Sequence, residues 1–297
     1  MEIRNMKAFL NVAELQSFTK AAELSGYSQS AITVQIKQLE KELGVQLFER
    51  IGKQVKLTNY GETFLQQAIV ILKEIEIAKE IVHTNEAPAG NLDIGVIESL
   101  STSVLPDILI EFQQKYPHVS TTIKTGLNSE MYEMIKNNQI DLIYFLDEKL
   151  NFPKWIKVLE KEEPIVFVTS SKNPFLNHKD ITLQMVLEEP LILSEKGLSY
   201  RYDLEQYLAS KNMELHPVLE IGNTDVILKL ILNNYGISFL PYYVVQELVE
   251  QGELTILDIK EVNVTMWSQV VYHKNKLLTP QMKAFIDMLK EHTKYNE

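Results

Sequence analysis

Apolar residues recur every three or four positions through most of residues 5–84, the period of helices packed on one face, and Gly26, Gly44, Gly52 and Gly61 interrupt the run. The spacing predicts a first helix over residues 6–15, with Phe9, Leu10, Val12 and Ala13 on its apolar face. A second follows over 20–24 with Thr19 as its cap, and a third starts at the cap Ser28 and runs to about Leu43. Two short helices joined by a tight turn at Gly26 make a helix-turn-helix pattern. Residues 46–50 and 54–58 flank 51–53 and can pair as a small hairpin, or wing. Residues 59–84 then read as one helix of 26 residues, ~39 Å long at 1.5 Å per residue.

From residue 91 onward short apolar runs alternate with amphipathic stretches, which argues for βαβ units and parallel sheet. Strands at 92–97, 119–125 and 141–145 with helices at 104–115 and 130–137 make a first half. A second half starts near a strand at 165–169. It takes in 191–193, 219–221 and 236–241, with helices at about 200–209 and 225–233. The run 266–273 can return the chain to the first half, where Thr279 caps a last helix with Pro280 in its first turn. The polar segment 85–90, with Pro88 and Gly90, reads as a hinge. The expected architecture is a mainly helical winged helix-turn-helix over 1–58, a linker helix and hinge over 59–90, and an α/β domain over 91–297. That domain divides into 91–163 plus 267–297 and 164–266.

The third helix carries the first candidate chemistry. Ile32, Ile36, Leu39 and Leu43 make one inward stripe, and the other face shows Ser30, Thr33, Val34, Lys37 and Lys41, with Gln29 at its amino end. Short hydroxyl and amide side chains near the N-terminus with lysines beyond suit a helix lying in a major groove, bases first and phosphates after. The plain alternative is an amphipathic helix with a solvated face. Arg50 and Lys53 would project from the wing toward a backbone or minor groove. In the long helix Phe64, Ala68, Ile71, Ile75, Ala78 and Val82 form a heptad seam, which can pack on its own domain or pair with a second copy.

Charge sharpens this division. The chain carries a net charge of -11, yet residues 1–58 hold eight Lys/Arg against six Asp/Glu, so the acidic excess lies entirely in the remainder. An acidic body repels phosphate, so contact with nucleic acid falls to the small basic end. The absence of cysteine excludes disulfides, thiolate zinc sites and a cysteine nucleophile. No apolar run approaches the ~18 residues of a membrane span, and residues 1–7 lack a signal-like apolar core, so a cytoplasmic protein making no membrane contact is expected.

Residues 1–65 resemble the amino-terminal domain of LysR-type transcriptional regulators. The resemblance rests on Phe9-Leu10, Ser17-Phe18-Thr19-Lys20-Ala21-Ala22, Ser28-Gln29-Ser30-Ala31-Ile32-Thr33 and Ile36-Lys37-Gln38-Leu39-Glu40. It continues through Leu43-Gly44-Val45-Gln46-Leu47-Phe48-Glu49-Arg50 and Leu57-Thr58-Asn59-Tyr60-Gly61. One departure is Val34, which stands where many members carry arginine or another polar residue. A looser similarity to the family's effector domain covers Gly90–Gly95 as Gly-Asn-Leu-Asp-Ile-Gly, Leu105-Pro106, Tyr116-Pro117-His118-Val119 and the stretch 236–241. The resemblance implies an effector domain with the periplasmic-binding-protein fold, two α/β halves around a ligand cleft. It also implies dimers through the linker helix, tetramers of those dimers, operator DNA as partner, and contact with RNA polymerase.

Ligands in open α/β sheets sit beyond the carboxyl ends of strands, where helix N-termini present free N–H groups. Ser99, Ser101 and Thr102 follow the first strand, Asn128 the second, Ser194 and Ser199 the run at 191–193, and Asn223 and Thr224 the run at 219–221. Each alone reads as a helix cap; together at four strand ends they suggest a site for a small polar or anionic effector. Arg201 could meet a carboxylate, or form a surface ion pair.

Enzyme chemistry finds no support. The six histidines are scattered, with none at metal-ligand spacing, and no phosphate-binding loop, dinucleotide glycine pattern or Gly-x-Ser-x-Gly elbow is present. No catalytic residue, metal or cofactor is therefore expected. The acidic clusters 160–163 and 188–189 read as solvated surface.

Overall fold

The computed structural model describes residues 1–51, 54–81, 87–151 and 153–295, and its amino-terminal helices form where the apolar period places them. They are α1 (Ile3–Leu15), α2 (Phe18–Ser25) and α3 (Gln29–Leu43), followed by an antiparallel hairpin of β1 (Phe48–Ile51) and β2 (Gln54–Leu57) and by α4 (Asn59–Ile81). Ser28 caps α3 as expected, its Oγ accepting from the Ala31 N–H at 3.2 Å. The cap of α2 is Ser17, not Thr19: Ser17 Oγ accepts from the Lys20 N–H, while burial of Phe18 draws that residue and Thr19 into the helix. Gly26 ends α2 at φ 67°, a left-handed conformation that favours glycine.

An aromatic cluster holds this unit together. The Phe9 ring lies 5.2 Å from Phe48 and 5.1 Å from Phe64, and Phe18 packs edge-on to Phe48. Ile32, Ile36 and Leu39 are buried beside it, but Leu43 is 36% exposed, because α3 ends there at Gly44 and its last turn runs past the core. The Glu40 carboxylate accepts from the N–H groups of Leu47 and Phe48, tying α3 to the start of the hairpin. A Cβ on Gly61 would sit 2.1 Å from the Leu47 carbonyl oxygen, so α4 can begin against that segment only with glycine.

The long helix uses part of its seam internally. Ala68 is fully buried in the amino-terminal core, which corrects its assignment to a dimer seam, and Phe64 is half-buried with its ring against Phe9. Ile71 and Ile75 are half-buried and Ala78 is exposed, while Val82 lies outside the described residues.

The second compact unit, Glu86–Glu297, is α/β. It opens with β3 (Gly90–Val96), α5 (Glu98–Ser103), α6 (Leu105–Lys115), β4 (Val119–Thr125), α7 (Asn128–Lys136) and β5 (Leu142–Asp147). The long β6 (Trp155–Ser170) leads to α8 (Leu183–Glu188), β7 (Ile192–Leu193), α9 (Ser199–Ser210), β8 (Leu219–Glu220) and α10 (Thr224–Leu232). Then come β9 (Ile237–Pro241), α11 (Tyr242–Glu250), β10 (Leu254–Leu257), β11 (Val264–His273) and α12 (Pro280–Tyr295). β3 runs parallel to β4 and β5, β11 bridges β5 to β6 antiparallel, and the far end of β6 pairs with β9 and β10. β7 and β8 pair in parallel, and Leu191 bridges to Ile237.

β6 and β11 are the strands by which the chain leaves the first half and returns. The expected divisions after residues 163 and 266 fall inside them, at cross-strand neighbours, since Glu163 pairs with Met266 and Pro164 with Thr265. Glu163 is 4% exposed and accepts from the Ser268 hydroxyl, which corrects the reading of 160–163 as solvated surface throughout. Thr279 and Pro280 start α12 as the sequence suggests, with Thr279 Oγ1 accepting from the Met282 N–H.

Candidate functional site

Two surfaces gather the candidate residues, one in each unit. On α3 the packed stripe faces the aromatic core, so the residues opposite are held outward by a rigid helix. Gln29, Ser30, Val34, Lys37 and Lys41 are exposed, as the helical period requires. Thr33 is half-buried, and its hydroxyl donates to the Gln29 carbonyl at 2.9 Å. The Ser30 hydroxyl is bonded to that of Ser28 at 2.9 Å. Arg50 pairs through its backbone with Val55 across the hairpin. Its side chain, and the whole of Lys53, lie outside the described residues.

The second surface is a cavity of about 370 Å³ at the carboxyl ends of β3, β4, β5, β7 and β8. Ser99, Asn128, Ser194, Ser199 and Thr224 all line it, so five of the nine expected residues converge. The other four do not. Ser101 spends its hydroxyl on the Glu98 carbonyl at 2.7 Å, within its own helix. Thr102 likewise bonds back to Glu98 and Ser99, and its side chain borders a separate cavity with Lys161 and Glu163. Asn223 caps α10 by accepting from the Val226 N–H at 2.9 Å.

Arg201 is the largest correction. It is 1% exposed, donating from Nη1 to the Ser194 carbonyl and from Nε to Glu205, with Glu220 3.7 Å from Nη2. A buried guanidinium so enclosed supports the β7–α9 connection from below and presents nothing to the cavity.

The converging residues are engaged with one another or with neighbours, and three of these pairs join the two halves of the domain. Thr224 donates its backbone N–H to Glu98 at 3.0 Å and its hydroxyl to the same carboxylate. Ser99 and Tyr243 share a hydroxyl hydrogen bond of 2.8 Å, and Ser199 donates to Asp147. Glu98 thus sits at the N-terminus of α10, the place where an anion would gain most from the free N–H groups. Tyr200 donates to Ser194 at 2.9 Å, and burial pushes its phenol up to about 12. Burial, with the Asp147 carboxylate beside it, raises Tyr132 well above the usual tyrosine range; Tyr132 donates to Asp147 at 2.7 Å. Burial and then Glu148 and Asp147 raise the Asp203 carboxyl, a sign of the negative potential around this end of the sheet.

The residues that sequence reasoning missed are the carboxylates. Glu98, Glu130 and Glu195 line the cavity with no lysine, arginine or histidine among its described lining residues. Glu130 also accepts from the Leu127 N–H, and Glu195 lies against Gly222, where a Cβ would come within 2.7 Å of Oε1. The Asn128 amide donates to Leu146 and Asp147, while its Oδ1 is shielded from solvent and unpaired. Glu98 nevertheless directly follows the apolar run 92–97, so its position at the first strand end is visible in the sequence. Among the described residues no group of His, Cys, Asp or Glu is placed to hold a metal ion, and no helix is long and apolar enough to cross a membrane.

Known proteins share both units. Residues 3–62 match the family described as bacterial regulatory helix-turn-helix protein, lysR family, and residues 85–294 match the LysR substrate binding domain. The HTH-type transcriptional regulator YwqM of Bacillus subtilis is 32% identical over 98% of this chain and 99% of its own. CmpR of Synechocystis, an HTH-type transcriptional activator, is 28% identical over 98% of this chain and 95% of its own. Among solved structures, CbnR complexed with its target DNA superposes with a TM-score of 0.71 at 21% identity, covering 98% of this chain and 100% of that one. Full-length OxyR of Pseudomonas aeruginosa gives 0.69 at 20% identity, over 98% of this chain and 94% of that one. At those identities the likeness is one of fold.

Proposed function

The chain belongs to the LysR family of transcriptional regulators, DNA-binding proteins and not enzymes, and from that premise we propose which of its residues touch DNA, ligand and partner. Gln29, Ser30 and Thr33 meet base edges in the major groove, Lys37 meets phosphate, and Arg50 and Lys53 grip the backbone from the wing. The observation that supports this is the division of α3 into a packed stripe and an outward polar face that ends in Lys37 and Lys41. Because the rest of the chain is acidic, affinity rests on few cations, and log K should fall linearly with log salt. Titration of a promoter duplex at several salt concentrations tests this; an affinity indifferent to salt would overturn it.

The cavity holds the effector between the two halves of the second unit. A small polar ligand that can donate hydrogen bonds fits it better than an anion, since Glu98 already occupies the α10 N-terminus and Glu130 and Glu195 border the same space. Entry of such a ligand replaces the Glu98–Thr224 and Ser199–Asp147 pairs and resets the closure of the halves about β6 and β11. Thermal melts of the full chain with neutral and amine-bearing molecules should show stabilisation that mono- and dicarboxylates do not give. Stabilisation by carboxylates alone would overturn the charge assignment and leave the cavity as the site.

Ile71, Ile75 and Ala78 on α4 form the surface that pairs with a second copy. In dimers, or tetramers built from them, ligand-driven closure would alter the spacing of the DNA-binding heads, and with it DNA bending and contact with RNA polymerase. Such a protein acts where the chromosome lies, in the cytoplasm. Replacing Ile71 and Ile75 by aspartate should abolish dimers in sedimentation experiments; unchanged dimers would remove that role.

A further inference from the structure

We propose that Val34 reads the 5-methyl group of a thymine, and so sets part of the operator sequence; this rests on α3 being the helix that enters the major groove. Ser30, Val34, Lys37 and Lys41 each stand two places before Ile32, Ile36, Leu39 and Leu43. At ~100° per residue, two places turn the helix by ~200°, so this second stripe points almost directly away from the packed one. Val34 lies at its centre and is 60% exposed. It joins none of the apolar clusters among the described residues.

A single exposed valine is ordinary on a protein surface. Its neighbours give this one a purpose. The hydroxyls closest to it along the helix already make local hydrogen bonds, Ser30 with Ser28 and Thr33 to the Gln29 carbonyl, and keep lone pairs with which to accept from a base edge. Lys37 and Lys41, one and two turns further on, hold the helix against phosphates and fix its depth. The branched side chain between them can neither donate nor accept. On the base edges of the major groove one group matches it, the thymine methyl, whose contact with an apolar side chain distinguishes A·T from the other pairs. Burying two methyl-bearing groups against each other is favourable only where that thymine is present, so Val34 contributes sequence preference and not general affinity.

The test uses the full-length protein and a duplex that it selects from a randomised pool. Each thymine of that duplex is replaced in turn by deoxyuridine, which removes the methyl group and nothing else, and affinity is measured by fluorescence anisotropy for the wild type and for Val34→Ala. At one thymine in each half-site the replacement should weaken the wild type about fourfold, the worth of one buried methyl. At that position Val34→Ala should bind the thymine and deoxyuridine duplexes equally. Wild-type binding that is indifferent at every thymine would overturn the proposal, as would a penalty that persists in Val34→Ala. A pool from which no duplex is enriched would instead defeat the DNA-binding reading itself, and the proposal with it. The deoxyuridine arm changes only the DNA, so its result is independent of any effect of the substitution on folding.

Discussion

α3 and the cavity treat their polar side chains in opposite ways. On α3, Gln29, Ser30, Lys37 and Lys41 stand on a convex face and reach solvent, and the hydrogen bonds made by the hydroxyls are local to the helix. In the cavity, Ser99, Ser199 and Thr224 are bonded to Tyr243, Asp147 and Glu98, groups that come from the other half of the domain. The difference matches what the proposed function asks of each surface. A duplex is large and comes to the protein, so its readers can wait in water at little cost. A small ligand must be enclosed, and polar groups enclosed within the protein must find partners there. The cavity is thus held together by the same groups that a ligand would engage.

The strongest challenge to this contrast removes the support of one surface and asks whether the other survives. Phe9 is fully buried between Phe48 and Phe64, and truncation to alanine should cost about 3–5 kcal/mol. The first unit should then melt early and DNA binding should vanish, while the melting of the α/β unit stays unchanged in a calorimetric scan. One cooperative transition that shifts as a whole would show that the two surfaces do not rest on separate cores.

A smaller effect sharpens the cavity side of the comparison. Glu98→Gln leaves an acceptor for Thr224 but removes its charge, and the gap between charge-assisted and neutral hydrogen bonds is about 1 kcal/mol. The α/β unit should lose a few degrees of melting temperature, and the cavity should bind its ligand with less competition from its own side chain. Basal affinity of the α3 face for DNA should not move in the isolated binding assay. A melting temperature that stays the same would mean that the Glu98–Thr224 pair contributes nothing to closure.

The same contrast explains what could be read from the chain. The α3 stripe and the Ser28 cap are local, set by period and by the residue before the first turn, and both were legible. Even there tertiary packing intervened, since burial of Phe18 moved the α2 cap to Ser17, and Ala68 went to the core of its own unit. In the α/β unit the strand ends were legible because hydroxyl and amide residues follow apolar runs, and five of them do meet. The partners of those residues were not, because Glu98 and Thr224 or Ser99 and Tyr243 lie more than a hundred positions apart. The charged stretch within β6 defeated local reasoning most clearly. Lys161-Glu162-Glu163 looks like surface, and only the pairing of β6 with β11 buries Glu163.

Glu163 also gives the smallest expected effect and the finest test of the comparison. Burial raises its carboxyl above the ordinary 4.5, with Lys161, 3.5 Å away, and the Ser268 hydroxyl pulling in the opposite direction. A carboxyl whose value is higher in the folded protein than in the unfolded chain favours the folded state while it is protonated. That stabilisation is complete below about pH 4.5 and is lost as the pH climbs through the raised value. Glu163→Gln keeps the neutral form at every pH and still offers Ser268 an acceptor. The variant should match the wild type in melting temperature near pH 4 and exceed it near pH 7, with the difference opening between the two. If Glu163→Gln differed from the wild type equally at both pH values, the carboxyl would be titrating as it does in water, and the crossing point of β6 and β11 would not be the enclosed, low-dielectric joint that the packing makes it.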